Sequence, residues 1–145
     1  MAGKVLVVYH SDTGNTKKAA ELVAEGARGA GAEVELVLAM DAKPEAAVKA
    51  AAIAVGSPDY FSYMAGQVKV FFDRVFAVRD KLKGKPCGCF ITHGGGGSAL
   101  ATVEKLAQAV NMKLAAKSVA VKGSPSGADA DACKALGAAL ASAKR

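Results

Sequence analysis

The stretch Lys4-Val5-Leu6-Val7-Val8-Tyr9-His10-Ser11-Asp12-Thr13-Gly14-Asn15-Thr16 holds the change of pattern that decides the fold. From Lys4 to Tyr9 the run is almost wholly β-branched, aliphatic or aromatic, as a parallel strand covered on both faces requires. From Ser11 to Thr16 it is polar, with three hydroxyls, a carboxylate, an amide and one glycine. The period then becomes helical: Ala20, Val23, Ala27 and Ala30 share one face, Lys18, Glu21, Glu25 and Arg28 the other, and Gly31 supplies the stop. Strand, polar turn and helix in that order form a βα unit.

The same unit recurs along the chain. Glu33 to Leu38 reads as a second strand whose charges at 33 and 35 suit a sheet edge, and Pro44 opens a short Ala-rich helix. Ala51 to Gly56 reads as a third strand, followed by an aromatic loop and a helix with Val68, Phe71, Phe72, Val75 and Phe76 on its buried face. Pro86 to Thr92 gives a fourth strand, then four glycines and a helix whose apolar face is Leu100, Val103, Leu106 and Val110. Ser118 to Val121 makes a short fifth strand, Gly123 to Gly127 a turn, and Asp129 to Ala143 a last helix. Five strands alternating with helices predict an α/β fold, an open five-stranded parallel sheet with helices on both faces. No linker or repeat interrupts it, so residues 1–145 are expected to form one domain.

In such a sheet ligands bind beyond the carboxyl ends of the strands, which directs attention to the loops after strands one, three and four. The first is Ser11-Asp12-Thr13-Gly14-Asn15-Thr16. Capping a helix takes one such residue; six in a row, with successive N–H groups at a helix N-terminus, predict an anion or phosphate site. It is neither a Walker loop nor a G-x-G-x-x-G turn. The second, Ser57-Pro58-Asp59-Tyr60-Phe61-Ser62-Tyr63, holds more aromatic surface than a solvated turn needs, unless its rings pack on the neighbouring helix. The third is Thr92-His93-Gly94-Gly95-Gly96-Gly97. Four glycines cost backbone entropy, which a close approach to a ligand or a positive φ would explain.

On these residues the chain resembles the flavodoxin family, whose phosphate loop runs Ser/Thr-x-Thr-Gly-Asn-Thr and is filled here by Ser11, Thr13, Gly14, Asn15 and Thr16. The run from Gly56 to Gln67, with its Met64-Ala65-Gly66-Gln67 ending, resembles the corresponding loop of flavodoxin-fold quinone reductases. The resemblance implies a flavodoxin-like sheet of order 2-1-3-4-5 and one bound FMN. Its phosphate would lie on Ser11 to Thr16, its ring on Ser57 to Ser62, and its pyrimidine side against Thr92 to Gly97. It implies an electron carrier with redox partner proteins and no catalytic side chain. The alternative is an FMN-dependent NAD(P)H:quinone oxidoreductase, with NAD(P)H or quinone as substrates. Two departures stand out: the loops lack the tryptophan and the Asp-x-x-Tyr pattern of many carriers, and the net charge is +6 where carriers are usually acidic.

Composition narrows the remaining classes. The 145 residues are 52% hydrophobic, without an apolar run of the roughly 20 residues a spanning helix needs. Nor does the start of the chain read as an export signal. A cytoplasmic protein with no membrane span is expected. Basic residues are spread over several helices instead of forming a stripe interleaved with aromatics, which argues against nucleic acid. Arg79 to Lys85 reads as a solvated loop. Cys87 and Cys89 alternate on a strand and share a face; with Cys133 they are expected to pack in the core, and no metal site is expected.

Overall fold

The computed structural model describes residues 3–145. Its strands are β1 (Lys4–Tyr9), β2 (Glu33–Leu38), β3 (Ala52–Tyr60), β4 (Tyr63–Met64), β5 (Pro86–His93), β6 (Lys113–Leu114) and β7 (Val119–Lys122). The helices are α1 (Asn15–Gly29), α2 (Pro44–Lys49), α3 (Gly66–Val75), α4 (Ala99–Ala109) and α5 (Ala128–Ser142), with 3₁₀ turns at Ala39–Asp41 and Phe76–Leu82. The parallel strands run in the order β2-β1-β3-β5, beyond which β6 and β7 both pair with β5. This is the expected 2-1-3-4-5 order with its last strand in two pieces. The order reverses between β1 and β3, where Val5 stands opposite Ala52 and Tyr9 opposite Gly56.

Alternation along the strands sorts the core into two layers. Leu6, Val8, Ile53, Val55, Cys87, Cys89 and Ile91 face α2, α3 and α4, meeting Val68, Phe71, Val75 and Val103. Val5, Val7, Tyr9, Ala52, Ala54, Phe90 and Val121 face α1 and α5, meeting Ala20, Val23, Ala27, Cys133, Leu136 and Leu140. The two helices of that second layer touch backbone to backbone. A Cβ on Gly26 would lie 1.9 Å from the Lys134 carbonyl oxygen, and one on Gly137 1.9 Å from that of Val23. Among the described residues no helix is long and apolar enough to cross a membrane.

Several expectations are corrected. The third strand does not stop at Gly56 but continues to Tyr60, then folds back as a hairpin through β4, with Tyr60 opposite Tyr63. β6 has no counterpart in the sequence pattern, since two residues carry no period. Phe76 is half exposed because α3 tightens into a 3₁₀ turn there, and the Arg79 guanidinium stacks on its ring at 4.0 Å. Ala30 is exposed just past the end of α1. On α4 the fully buried line is Ala99, Val103 and Ala107, with Leu100 and Leu106 only partly covered.

Candidate functional site

All three loops singled out in the sequence lie at the carboxyl edge of the sheet, beside the β1/β3 switch point. β1 leaves the sheet at Tyr9, and the His10 amide still reaches the Gly56 carbonyl at 3.3 Å. Ser11 Oγ then accepts from the Gly14 amide at 3.1 Å, closing a tight loop. Gly14 has φ +100°, a conformation that disfavours any Cβ, and open space surrounds it.

α1 therefore begins without a side-chain cap. The Lys18 amide returns to the Gly14 carbonyl at 3.0 Å, but among the described residues the amides of Asn15, Thr16 and Lys17 have no acceptor. The first turn carries no carboxylate and two lysines, Lys17 and Lys18, at the end where the helix dipole is positive. Three free N–H groups, two ammonium groups and a dipole ask for an anion. Thr13 is exposed and Asn15 half-buried at this point, whereas Thr16 turns inward and its hydroxyl pairs with that of Thr92 at 2.7 Å, fully buried.

The β3–β4 hairpin makes the second wall. Phe61 and Ser62 at its tip have φ +55° and +65°, the left-handed sign at both central positions of a type I′ turn. Neither is glycine or asparagine. Phe61 is fully exposed, so its ring packs on no neighbouring helix; Tyr60 and Tyr63 are 36% and 42% exposed, and Met64 is buried. Buried Ser57 braces the base: its hydroxyl donates to the Pro58 carbonyl at 2.7 Å and accepts from the Ala65 amide at 2.9 Å.

Strand alternation continues through the hairpin. Asp59 points to the α4 side, where Oδ2 accepts from the Ala99 amide at 3.0 Å while Oδ1 accepts from Ser62 N at 2.9 Å. Tyr60 points the other way, and its hydroxyl donates to Asp12 in the first loop. Asp12 also pairs with His10 Nε2 at 3.1 Å. The Tyr60 hydrogen bond holds the Asp12 carboxyl below its ordinary range. Partial burial, with Asp12 beside it, pushes the Tyr60 phenol up to about 12. At neutral pH the phenol is the donor and the carboxylate the acceptor.

In the third loop only Gly97 has positive φ, +94°, and the His93 ring lies beside it. Cβ atoms on Gly94 and Gly95 would meet nothing within 4 Å. No protein contact demands those glycines, and the open approach to the backbone is what they provide. His93 Nδ1 is buried and has no hydrogen-bond partner among the described residues. A separate groove of about 480 Å³ between β7 and α5, lined by Val119, Ala132, Leu136 and Ala139 among others, is remote from this chemistry. The hairpin and the Ala99 amide are the parts of the site that the sequence did not reveal; Tyr60-Phe61-Ser62-Tyr63 lacks the Asn-Gly type of turn signal.

These features define a doubly wound α/β protein with an uncapped helix start and exposed aromatic side chains at its switch point. A family model described as Flavodoxin matches residues 7–137, and the chain belongs to the flavodoxin family. It is 42% identical over 113 residues to a flavodoxin of Aquifex aeolicus, covering 75% of this chain and 61% of that protein. It is 35% identical over 118 residues to an NAD(P)H dehydrogenase (quinone) of Caulobacter vibrioides, covering 63% and 59%. The solution structure of two-electron reduced Megasphaera elsdenii flavodoxin superposes with a TM-score of 0.85 at 30% identity, over 96% of this chain and 99% of that one. The chain thus spans about three fifths of the curated relatives it matches. Family membership implies flavin binding.

Proposed function

We propose that this chain binds one FMN across the three loops and passes electrons between protein partners. The observation that carries this reading is the start of α1, where among the described residues three amides lack an acceptor, no side chain caps the helix, and Lys17 and Lys18 stand exposed on the first turn. A monophosphate dianion fits that chemistry. A flat ring with a polar edge fits the rest: Tyr60 and Phe61 offer aromatic surface, Gly94 and Gly95 open backbone, and His93 Nδ1 an unpartnered buried nitrogen.

In this reading Ser11, Asp12, Thr13, Gly14, Asn15 and Thr16 form the phosphate loop. Ser57, Pro58, Asp59, Tyr60, Phe61 and Ser62 line the ring, and Thr92, His93, Gly94, Gly95, Gly96 and Gly97 close the pyrimidine side. FMN supplies the one- and two-electron chemistry. The chain's own work is to hold the phosphate, fix the ring between hairpin and glycine loop, and set what charge surrounds it. A single cytoplasmic domain is part of the same reading. Reconstitution with FMN tests it: a yellow protein with bound-flavin absorbance is expected, and a colourless protein that takes up no FMN sinks it.

The relatives called NAD(P)H dehydrogenase (quinone) and the Met64-Ala65-Gly66-Gln67 ending favour a second reading, direct NAD(P)H:quinone oxidoreduction. Mixing reconstituted protein with NADPH and benzoquinone separates the two. A carrier leaves NADPH almost unoxidised, and steady turnover would select the enzyme instead.

A further inference from the structure

Asp12 is an odd occupant of an anion seat. A carboxylate two residues before Gly14 opposes any phosphate that docks on α1, yet its carboxyl group is engaged elsewhere: Oδ2 takes the Tyr60 hydroxyl and Oδ1 takes His10 Nε2. The Tyr60 contact joins residues 48 apart in sequence. It arises because Tyr60 lies on the α1 side of β3, in the alternation that puts Ala52 and Ala54 against α1, while Asp59 lies on the α4 side. The hairpin is thereby braced at both flanks, through Tyr60 to the first loop and through Asp59 to the start of α4.

The two braces differ in kind. Asp59 Oδ2 meets a backbone amide and fixes only where the hairpin stands. Asp12 instead meets the polar tip of an aromatic side chain, so it fixes the Tyr60 ring itself, pulling it toward the gap between the first loop and the hairpin. Without that contact Tyr60, about one third exposed, would be free to change rotamer and leave the wall open.

We propose that Asp12 is a positioning residue for the ring half of the site: although it belongs to the phosphate loop, it acts through Tyr60 and not on the phosphate. The inference rests on the flavin reading above. Its signature is a loss that does not need the phosphate, since riboflavin has the ring without it.

The experiment titrates FMN and riboflavin into wild type, Asp12→Ala, Asp12→Asn, Tyr60→Phe and the double variant Asp12→Ala/Tyr60→Phe. Asp12→Ala and Tyr60→Phe should each weaken riboflavin by about three- to tenfold, the scale of an ordinary net hydrogen bond, since solvent screens this exposed pair. The double variant should lose no more than either single one, because both remove the same contact. Asp12→Asn keeps an acceptor oxygen and should restore riboflavin to within about twofold. The visible circular dichroism of bound riboflavin should change alike in the two single variants, while the urea midpoint of the flavin-free protein stays put. Unchanged riboflavin affinity in Asp12→Ala, additive losses in the double variant, or a urea midpoint that falls with the affinity would each overturn the proposal. A wild-type protein that binds neither flavin overturns the flavin reading itself and this inference with it.

Discussion

Thr13 and Asn15 flank the glycine that turns the first loop, and neither side chain has an intramolecular hydrogen-bond partner among the described residues. In the proposed phosphate loop both side chains would meet the anion. Thr13→Ala or Asn15→Ala should therefore weaken FMN while sparing riboflavin. Hydrogen bonds to charged groups contribute roughly 1.5 to 3 kcal/mol, so about ten- to a hundredfold in the FMN dissociation constant is expected by calorimetry, and equal losses for both flavins would place the phosphate elsewhere. Phe61 presents the opposite case, a residue whose local cost is visible and whose contacts are missing. It sits at φ +55° with its ring wholly in solvent, and a bulky side chain in the left-handed region costs roughly 1 to 2 kcal/mol. Strain of this kind persists where a ligand needs it. Phe61→Gly should raise the stability of the flavin-free protein by about 0.5 to 1 kcal/mol in urea denaturation, after the entropy glycine adds to the unfolded chain. It should also lower riboflavin affinity at least a few-fold. A variant that is both less stable and equally avid would refute this account.

At the scale of elements, what the sequence made legible was whatever local period expresses. β1, β2 and α2 stand where the hydrophobic runs and Pro44 put them, and α1 and α5 lie within a residue of their expected ends. The hydrophobic run of the third strand ends at Gly56, where the polar and aromatic stretch from Ser57 begins. In the structure Gly56 is mid-strand, and the Phe90 ring of β5 occupies the space a Cβ would need, at 2.1 Å. That is a contact between distant strands, invisible to any local pattern. The hairpin beyond it was hidden for the same reason, since Phe61 and Ser62 take a conformation their residue types do not announce. Of the candidate site, the polar first loop and the glycine run were readable, but the inward pairing of Thr16 with Thr92 was not. Lys85 is a further element-scale device that composition conceals. It is fully buried ahead of β5, and its Nζ donates to the Ala47 and Val48 carbonyls near the end of α2 at 2.7 and 2.6 Å. Burial, with Arg145 nearby, lowers its pKa from the usual 10.5 to about 8. The unfolded chain then binds more protons between those two values, so this group destabilises the fold below about pH 8 and ceases to do so as pH rises toward 10.5. The neutral amine still has two N–H groups for the two carbonyls. Stability of wild type minus that of Lys85→Met should accordingly increase between pH 8 and 10.5, by at most about 1.4 kcal/mol per pH unit. A flat difference across that range would mean the amine is solvated in the folded state.

Over the whole molecule the net charge is +6, and its effect on a bound flavin depends on where the carboxylates near the cleft are directed. Asp12 and Asp59, the acidic residues within the three loops, both accept hydrogen bonds from the protein, which disperses part of their charge. Lys17 and Lys18 are exposed on the first turn of α1, with no carboxylate within 4 Å among the described residues. Adding electrons to the flavin places negative charge beside these groups, and a positive surround stabilises it. One unit charge about 10 Å away in a water-like dielectric contributes roughly 0.4 kcal/mol, on the order of 20 mV for a one-electron couple. The couple that forms the fully reduced flavin should therefore lie higher than in a strongly acidic member of the same fold. Because the lysines are exposed, salt should screen them, with a Debye length of about 10 Å at 0.1 M, and the potential should move downward as salt is added. Lys17→Gln/Lys18→Gln should lower it at low salt by roughly 40 mV at most, twice the single-charge figure, and should flatten the salt response. Spectroelectrochemical titrations at two ionic strengths measure both effects. A potential that ignores both salt and the two lysines would show that contacts at the ring, through the hairpin and the glycine loop, set it instead.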